Sequence, residues 1–167
     1  MAEGAVHKRL KIVALAFLKR HCVDLVANEA KFRNIRSRAD ACGVNLKRKE
    51  VRVVEVKATR ADFLRDKKLF DVERSYWPHC TYFYLMCPPG VVAKADLPAE
   101  YGLLYVDDDN QLTVVRNPVR NARLRTRFET TLRNCCRAVS NDLLFNHHRI
   151  AVHAPQLCRF ADRGGGS

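Results

Sequence analysis

The sequence predicts an α/β (α+β) domain: a mixed β-sheet flanked by helices. Three observations carry that expectation. Apolar residues at 6, 10, 13, 14, 17 and 18 make a helical stripe near the start. A second helical spacing runs through Leu124, Phe128, Leu132, Cys135, Val139 and Leu143 near the end. Between them lie short runs with strand character, so the order is helix, three strands, helix, strands, helix. The chain of 167 residues suffices for one domain with a sizeable core, expected over residues 1–160. No internal repeat or linker divides it, and "RGGGS" closes a flexible tail over residues 161–167.

Each element has its own signal. In the first helix the cations Lys8, Arg9, Lys11 and Lys19 fall off the apolar stripe. A basic start with an apolar middle also raises a signal peptide, but "IVALAF" is short and no small-residue cleavage site follows it, so an amphipathic helix is the better reading. "VDLVANEAKF" (23–32) alternates as a strand does. "ADACGV", the basic turn "NLKRKE" and the apolar "VRVVEVKA" (51–58) read as a hairpin whose first strand has the weaker pattern. Residues 60–77 look helical, with Phe63, Leu64, Phe70 and Tyr76 inward and Asp62 in the first turn, where the helix dipole favours an acid. "CTYFYLMCP" is a buried strand stopped by Pro88-Pro89-Gly90, and "GLLYV" and "QLTVVR" bracket a turn at "DDDN". Tyr82 and Tyr84 belong to the sheet rather than to a base-stacking platform.

Composition narrows the function. The formal net charge is +12, which favours a polyanionic partner, most often nucleic acid. The excess is uneven: residues 31–60 hold ten Lys or Arg against three acids, and residues 116–137 hold seven Arg against Glu129 alone. No apolar run approaches the ~20 residues of a membrane span, so no membrane partner is expected. Seven cysteines in no regular framework argue for a reducing compartment, the cytoplasm. His-Cys at 21–22 and 79–80, Cys-Cys at 135–136 and His-His at 147–148 raise structural zinc. Without any C-x-x-C pair, buried free thiols are the better reading.

The strand 51–58 contains the chemical puzzle. Alternation puts Glu55 and Lys57 on one face and Val54, Val56 and Ala58 on the other. Such a pair is either solvated or the heart of a site. If the two strands pair as a hairpin, Asp40 comes within reach of Glu55. Two carboxylates in a basic neighbourhood make an oxygen-ligand site for Mg²⁺ or Mn²⁺. Such an ion polarises a phosphoryl oxygen and activates water, while Lys57 orients that water or stabilises developing charge.

Asp40, fourteen intervening residues and then Glu55-Val56-Lys57 resemble the D…E-x-K signature of PD-(D/E)xK nucleases. The block "VVEVKATRADFLRDKK" is similar to the MmcB-like branch, DNA repair-associated or phage-borne proteins that read E-x-K-x-S-R-x-D-F-x-x-D-x-K. The likeness continues through "YFYLMCPPGVV", "DLPAEYGLLYV" and the Arg-rich final helix and covers roughly residues 6–145. It implies a restriction-endonuclease-like sheet and a nucleoid-associated protein of a bacterial or phage-infected cell. It implies Asp40 and Glu55 as metal ligands, the Val56 carbonyl as a further one, and Lys57 as the catalytic lysine. Glu29 stands where this branch often carries another acid and would complete the site or bind a second metal. Asp62, Asp66 and Lys67 match the helix block and would brace the site or contact DNA. Ala39 replaces a common proline and Thr59 the usual serine; neither change removes a reacting group. His7, at the helix start, has the ordinary reading of a structural histidine.

The expected function is therefore a metal-dependent DNA endonuclease or nickase, acting in repair, recombination or phage DNA metabolism and leaving a 5′-phosphate. Its DNA contacts would come from Arg36, Arg38, Lys47, Arg48, Lys49, Arg60, Lys67, Arg123 and Arg127. Duplex cleavage would favour a homodimer. The alternative is a nucleic-acid-binding module that keeps the fold with cleavage lost or weak; an RNA-binding or structural protein of another fold ranks last.

Overall fold

A computed structural model describes residues 4–22, 24–32, 35 and 38–147. Val23, Arg36, His148 and the Gly-rich tail, all used in the reading above, lie outside the described residues. The first helix, α1 (Ala5–His21), follows the predicted stripe: Leu10, Ala14, Phe17 and Leu18 are buried. Full burial of each large apolar side chain there is worth about 1.5–3 kcal/mol. Lys19, Arg20 and His21 in its last turn complement the negative end of the helix dipole.

Six strands follow: β1 (Leu25–Lys31), β2 (Arg38–Asn45), β3 (Glu50–Val56), β4 (Tyr82–Cys87), β5 (Gly102–Val106) and β6 (Leu112–Arg116). They form one mixed sheet in sequential order β1-β2-β3-β4-β5-β6. The β1/β2, β2/β3 and β5/β6 pairs are antiparallel; β3/β4 and β4/β5 are parallel. Parallel neighbours need a crossover connection, and the longer one, between β3 and β4, carries α2 (Arg60–Arg65) and two 3₁₀ turns, Lys67–Phe70 and Trp77–His79.

Both sheet faces are covered. On one, α1 packs on Ala41, Val54, Val56, Tyr84, Met86, Leu104 and Val106. On the other, α3 (Phe128–Asn141) lies mainly on β1, and Phe63, Leu69 and Tyr76 of the β3–β4 connection join Val51, Val53, Phe83 and Leu85. Central strands covered on both faces read as continuous apolar runs, which is why β3 and β4 stand out in the sequence. Five cysteines (22, 42, 80, 87 and 135) are buried free thiols and Cys136 is exposed.

Two expectations need correction. The helix expected over residues 60–77 stops at Arg65. Thr59 caps its start by accepting from the Asp62 N–H at 3.1 Å, but Asp66 leaves helical geometry (φ −85°, ψ 78°). The Asp66 carboxylate is drawn to two lysines there, and the chain continues as 3₁₀ turns. Tyr76 and Phe63 are buried as expected, whereas Leu64, next to Phe63 within α2, and Phe70, after the change of helical pitch, are 46% and 44% exposed. The last helix begins only at Phe128, so Leu124 precedes it. Phe128, Leu132 and Cys135 face the core, but Val139 and Leu143 are exposed. Among the described residues, no helix is long and apolar enough to cross a membrane.

The α1–β2 contact is close because Gly43 lacks a side chain. A Cβ there would lie 2.9 Å from both Cβ and Sγ of Cys22 and 3.3 Å from Leu18 Cβ. Gly43→Ala should cost about 1–3 kcal/mol through overpacking. Gly4→Ala, with nothing within 4 Å of the added carbon, should change stability little. Urea denaturation of both variants checks the contrast.

Candidate active site

Strand β3 is buried on both faces, and its next-to-last residue is an acid. By alternation Glu55 shares the face of Val51 and Val53, while Val54 and Val56 pack toward α1. Glu55 is only 4% exposed. Its Oε1 accepts from Lys57 Nζ at 3.2 Å and faces Lys68 Nζ at 3.3 Å. Its Oε2 is buried without a hydrogen-bond partner. Burial, then the nearby Asp40 charge, push the carboxyl up to about 7, against the opposing pull of Lys57 and Lys68.

Lys57 also pairs with Asp66 at 2.8 Å, and Lys68 lies 3.6 Å from the same oxygen. Burial alone would lower the Lys57 pKa, but Glu55 and Asp66 together raise it, so this lysine stays an ammonium. Lys68 donates to the Tyr76 hydroxyl at 3.3 Å and stands 4.5 Å above that ring. Two acids and two lysines thus form one compact network, with Asp66 bracing the pair on β3.

Asp40 approaches from β2. Paired residues in the β2/β3 ladder run from Asn45↔Glu50 to Ala41↔Val54. Beyond it the Asp40 side chain substitutes for the ladder, its Oδ2 accepting from the Val56 N–H at 2.8 Å. Its Oδ1 lies 3.1 Å from His7 Nε2 on α1. Burial would raise the Asp40 pKa, but the His7 and Val56 hydrogen bonds and the charges of His7 and Lys11 hold it below its ordinary value. Strict alternation fails at this point. Ala41 packs in the α1-side cluster, Asp40 beside it also reaches α1, and Ala39 packs on the opposite side.

The structure therefore joins Glu55, Lys57, Asp66 and Lys68 in one ion-pair network, and Asp40 is near enough for its charge to act on Glu55. It leaves other expected members out. Glu29 sits in the left-handed region (φ 53°) and forms an ion pair with Lys11. Asp62 serves the start of α2 and pairs with Arg65; its hydrogen bond with Thr59 leads the causes that lower its pKa. Lys67 is exposed, and Lys68 takes the inward place expected of it. Counting D-x-K from Asp66 lands on Lys68, and that spacing is the signal that finds it. His7, expected to be an ordinary structural histidine, is the second residue added to the site: its contact with Asp40 spans thirty-three positions, and no local pattern encodes it.

The basic residues are scattered. Lys47, Arg48 and Lys49 form the β2–β3 turn, at the opposite end of β3 from Glu55 and roughly 16 Å away at the rise of a strand. Arg60 is committed to both carboxylate oxygens of Asp96 and to the Val91 carbonyl at 3.3 Å. Arg123 and Arg127 are exposed ahead of α3, and Arg38 is exposed at the start of β2. A cleft of about 610 Å³ is lined by Val6, His7, Val56, Lys57, Asp62 and Arg65 among others; Lys57 and His7 reach it, whereas Asp40 and Glu55 are not among its lining.

As a metal site the donor set is small and hard. Glu55 Oε2 is an orphaned buried oxygen, and Asp40 keeps lone pairs beyond its two hydrogen bonds. Among the described residues no three of His, Cys, Asp and Glu gather into a group suited to a metal. Two carboxylates fit Mg²⁺ or Mn²⁺, which keep several waters and take substrate phosphate as a further ligand.

The chain matches no family model and no curated protein. Among solved structures it is similar to a protein of unknown function from Silicibacter pomeroyi, with a TM-score of 0.69 and 22% identity over 90% of this chain and 97% of that one. That likeness concerns the fold alone.

Glu55 makes stability depend on pH in a definite direction. Its native pKa, near 7, lies above the 4.5 of an exposed glutamate, so between these values the folded state binds more protons than the unfolded state. Its contribution is present below about 4.5 and lost as the pH rises through 7. Urea denaturation from pH 4.5 to 8 should show a downward slope in wild type that Glu55→Gln lacks.

Proposed function

We propose that the protein is a metal-dependent nuclease that hydrolyses phosphodiester bonds in DNA, with Asp40, Glu55 and Lys57 as its reacting groups. The observation that carries this reading is the buried, unpartnered Oε2 of Glu55 beside Asp40, with an ammonium two residues further on. A carboxylate oxygen without a partner in such surroundings is costly, and a divalent cation offsets that cost. Asp40 and Glu55 would hold Mg²⁺ or Mn²⁺, which when bound polarises a phosphoryl oxygen and lowers the pKa of a water. Glu29, committed to Lys11, has no part in this set.

The protein's own groups have distinct tasks. Lys57, held protonated, acts by charge: it stabilises negative charge growing on the phosphoryl oxygens and does not serve as a base. Asp66 fixes its ammonium and so contributes through Lys57 as a positioning residue, while Lys68 shares the same carboxylates. The Val56 N–H and His7 orient the Asp40 carboxylate from two directions. The role of the acid–lysine pair in the E-x-K pattern agrees with this assignment.

One observation favours the second reading, a nucleic-acid-binding module without cleavage. Glu55 Oε1 is already shared by two lysines, and both Asp40 oxygens have partners, so the protein neutralises much of its own acidic pair. The two readings separate in one assay. Labelled single-stranded, duplex and branched DNA is incubated with Mg²⁺, Mn²⁺ or chelator, using wild type and Lys57→Ala. The nuclease reading predicts metal-dependent cutting that falls by about 10²–10³ in the variant. Salt-sensitive binding without cutting, unchanged in Lys57→Ala, would establish the binding module. Cutting that survives the substitution would mean that the site lies elsewhere.

A further inference from the structure

A second cleft, about 520 Å³, lies on the opposite side of the sheet from α1, between α3 and the ends of β1 and β2. Its lining includes Lys31, Arg38 and Arg137 together with the amides of Asn28, Asn134 and Asn141. Lys31 and Arg38 are direct cross-strand partners in the β1/β2 ladder. Like charges facing each other across a ladder are destabilising, and here a third cation, Arg137, is brought in from another element. Two acids also line the cleft: Glu29 pairs with Lys11 of α1, and Asp142 accepts from the Asn28 amide at 3.4 Å within the cleft. Asn134 donates to the Lys31 carbonyl at 2.9 Å, which ties α3 to the end of β1 and fixes the cleft wall.

We infer that this cleft binds the phosphodiester backbone of a DNA strand, with Arg38 and Arg137 on opposite walls contacting phosphate. The inference rests on the nucleic-acid reading above and adds the surface on which the strand lies. Guanidinium groups suit phosphate oxygens because their planar donors engage two at once, and side-chain amides commonly supply further contacts to phosphate and sugar. Arg38 is two residues from Asp40 on β2, but Asp40 turns toward α1, so the cleft is a backbone-binding surface apart from the carboxylates. The basic turn at Lys47–Lys49 is a strand length away and takes no part. This assignment departs from the sequence reading, which spread the contacts over both basic stretches.

The test is binding of a labelled 20-nucleotide single strand by the full chain, measured by anisotropy in chelator over a range of NaCl concentrations. Three variants are compared with wild type: Arg38→Ala/Arg137→Ala, Arg38→Lys/Arg137→Lys, and Lys47→Ala/Arg48→Ala/Lys49→Ala. Each phosphate contact on a single strand contributes about 0.7 to the slope of log K against log salt. The double alanine variant should therefore lower the slope by about 1.4, the double lysine variant should restore most of it, and the turn variant should match wild type. All these residues are exposed, and thermal melts confirm that the fold is kept. An unchanged slope in the double alanine variant, or a loss confined to the turn variant, would overturn the cleft while leaving the nucleic-acid reading intact. Wild type that binds no DNA would overturn both.

Discussion

The carboxylate of Glu55, buried at the end of a central strand, is the constraint around which this structure is arranged. A glutamate there is out of place by every local rule: β3 is apolar, covered on both faces and flanked by strands on both sides. Burying a charge is expensive unless it is paired and hydrogen-bonded. The surroundings answer only in part. Lys57 and Lys68 address one oxygen, Asp66 holds the two lysines, and the other oxygen has no partner.

That arrangement reaches well beyond one side chain. Asp66 ends α2 after six residues, and the 3₁₀ turn that follows brings Lys68 back over Tyr76. On the other side of the sheet, Asp40 and Ala41 turn to the same face, which places Asp40 between the Val56 N–H and His7. A hydrophobic side chain at position 55 would need none of these devices. Breaks in local rules of this kind are concentrated at functional or strained sites. On the proposed reading, a divalent cation completes what the protein's own groups leave unfinished.

Much of this was legible in the chain. The stripe of α1 and the apolar runs of β3 and β4 come from elementary periodicity, because burial on one helical face or on both sheet faces dictates residue type. The i, i+2 relation of Glu55 and Lys57 follows from strand geometry alone, and the hairpin placing Asp40 near Glu55 follows from the basic turn between β2 and β3. The early end of α2 was not legible, since Phe63, Leu64 and Phe70 keep a helical spacing while a tertiary ion-pair network bends the backbone at Asp66. Nor was the His7–Asp40 contact, or the meeting of Lys31 and Arg38 with Arg137. Those depend on which elements become neighbours in space, and spacing within one element carries no record of it.

The most direct measurement is the ionisation of Glu55 itself, followed through its side-chain carboxyl carbon by NMR in ¹³C-labelled protein, with and without Mg²⁺. A pKa near 7 in the metal-free protein that falls by a unit or more when Mg²⁺ is added is the predicted result, since a cation on Oε2 favours the charged form. A value near 4.5 that ignores Mg²⁺ would contradict it, leaving Glu55 as an ordinary member of an internal salt-bridge network.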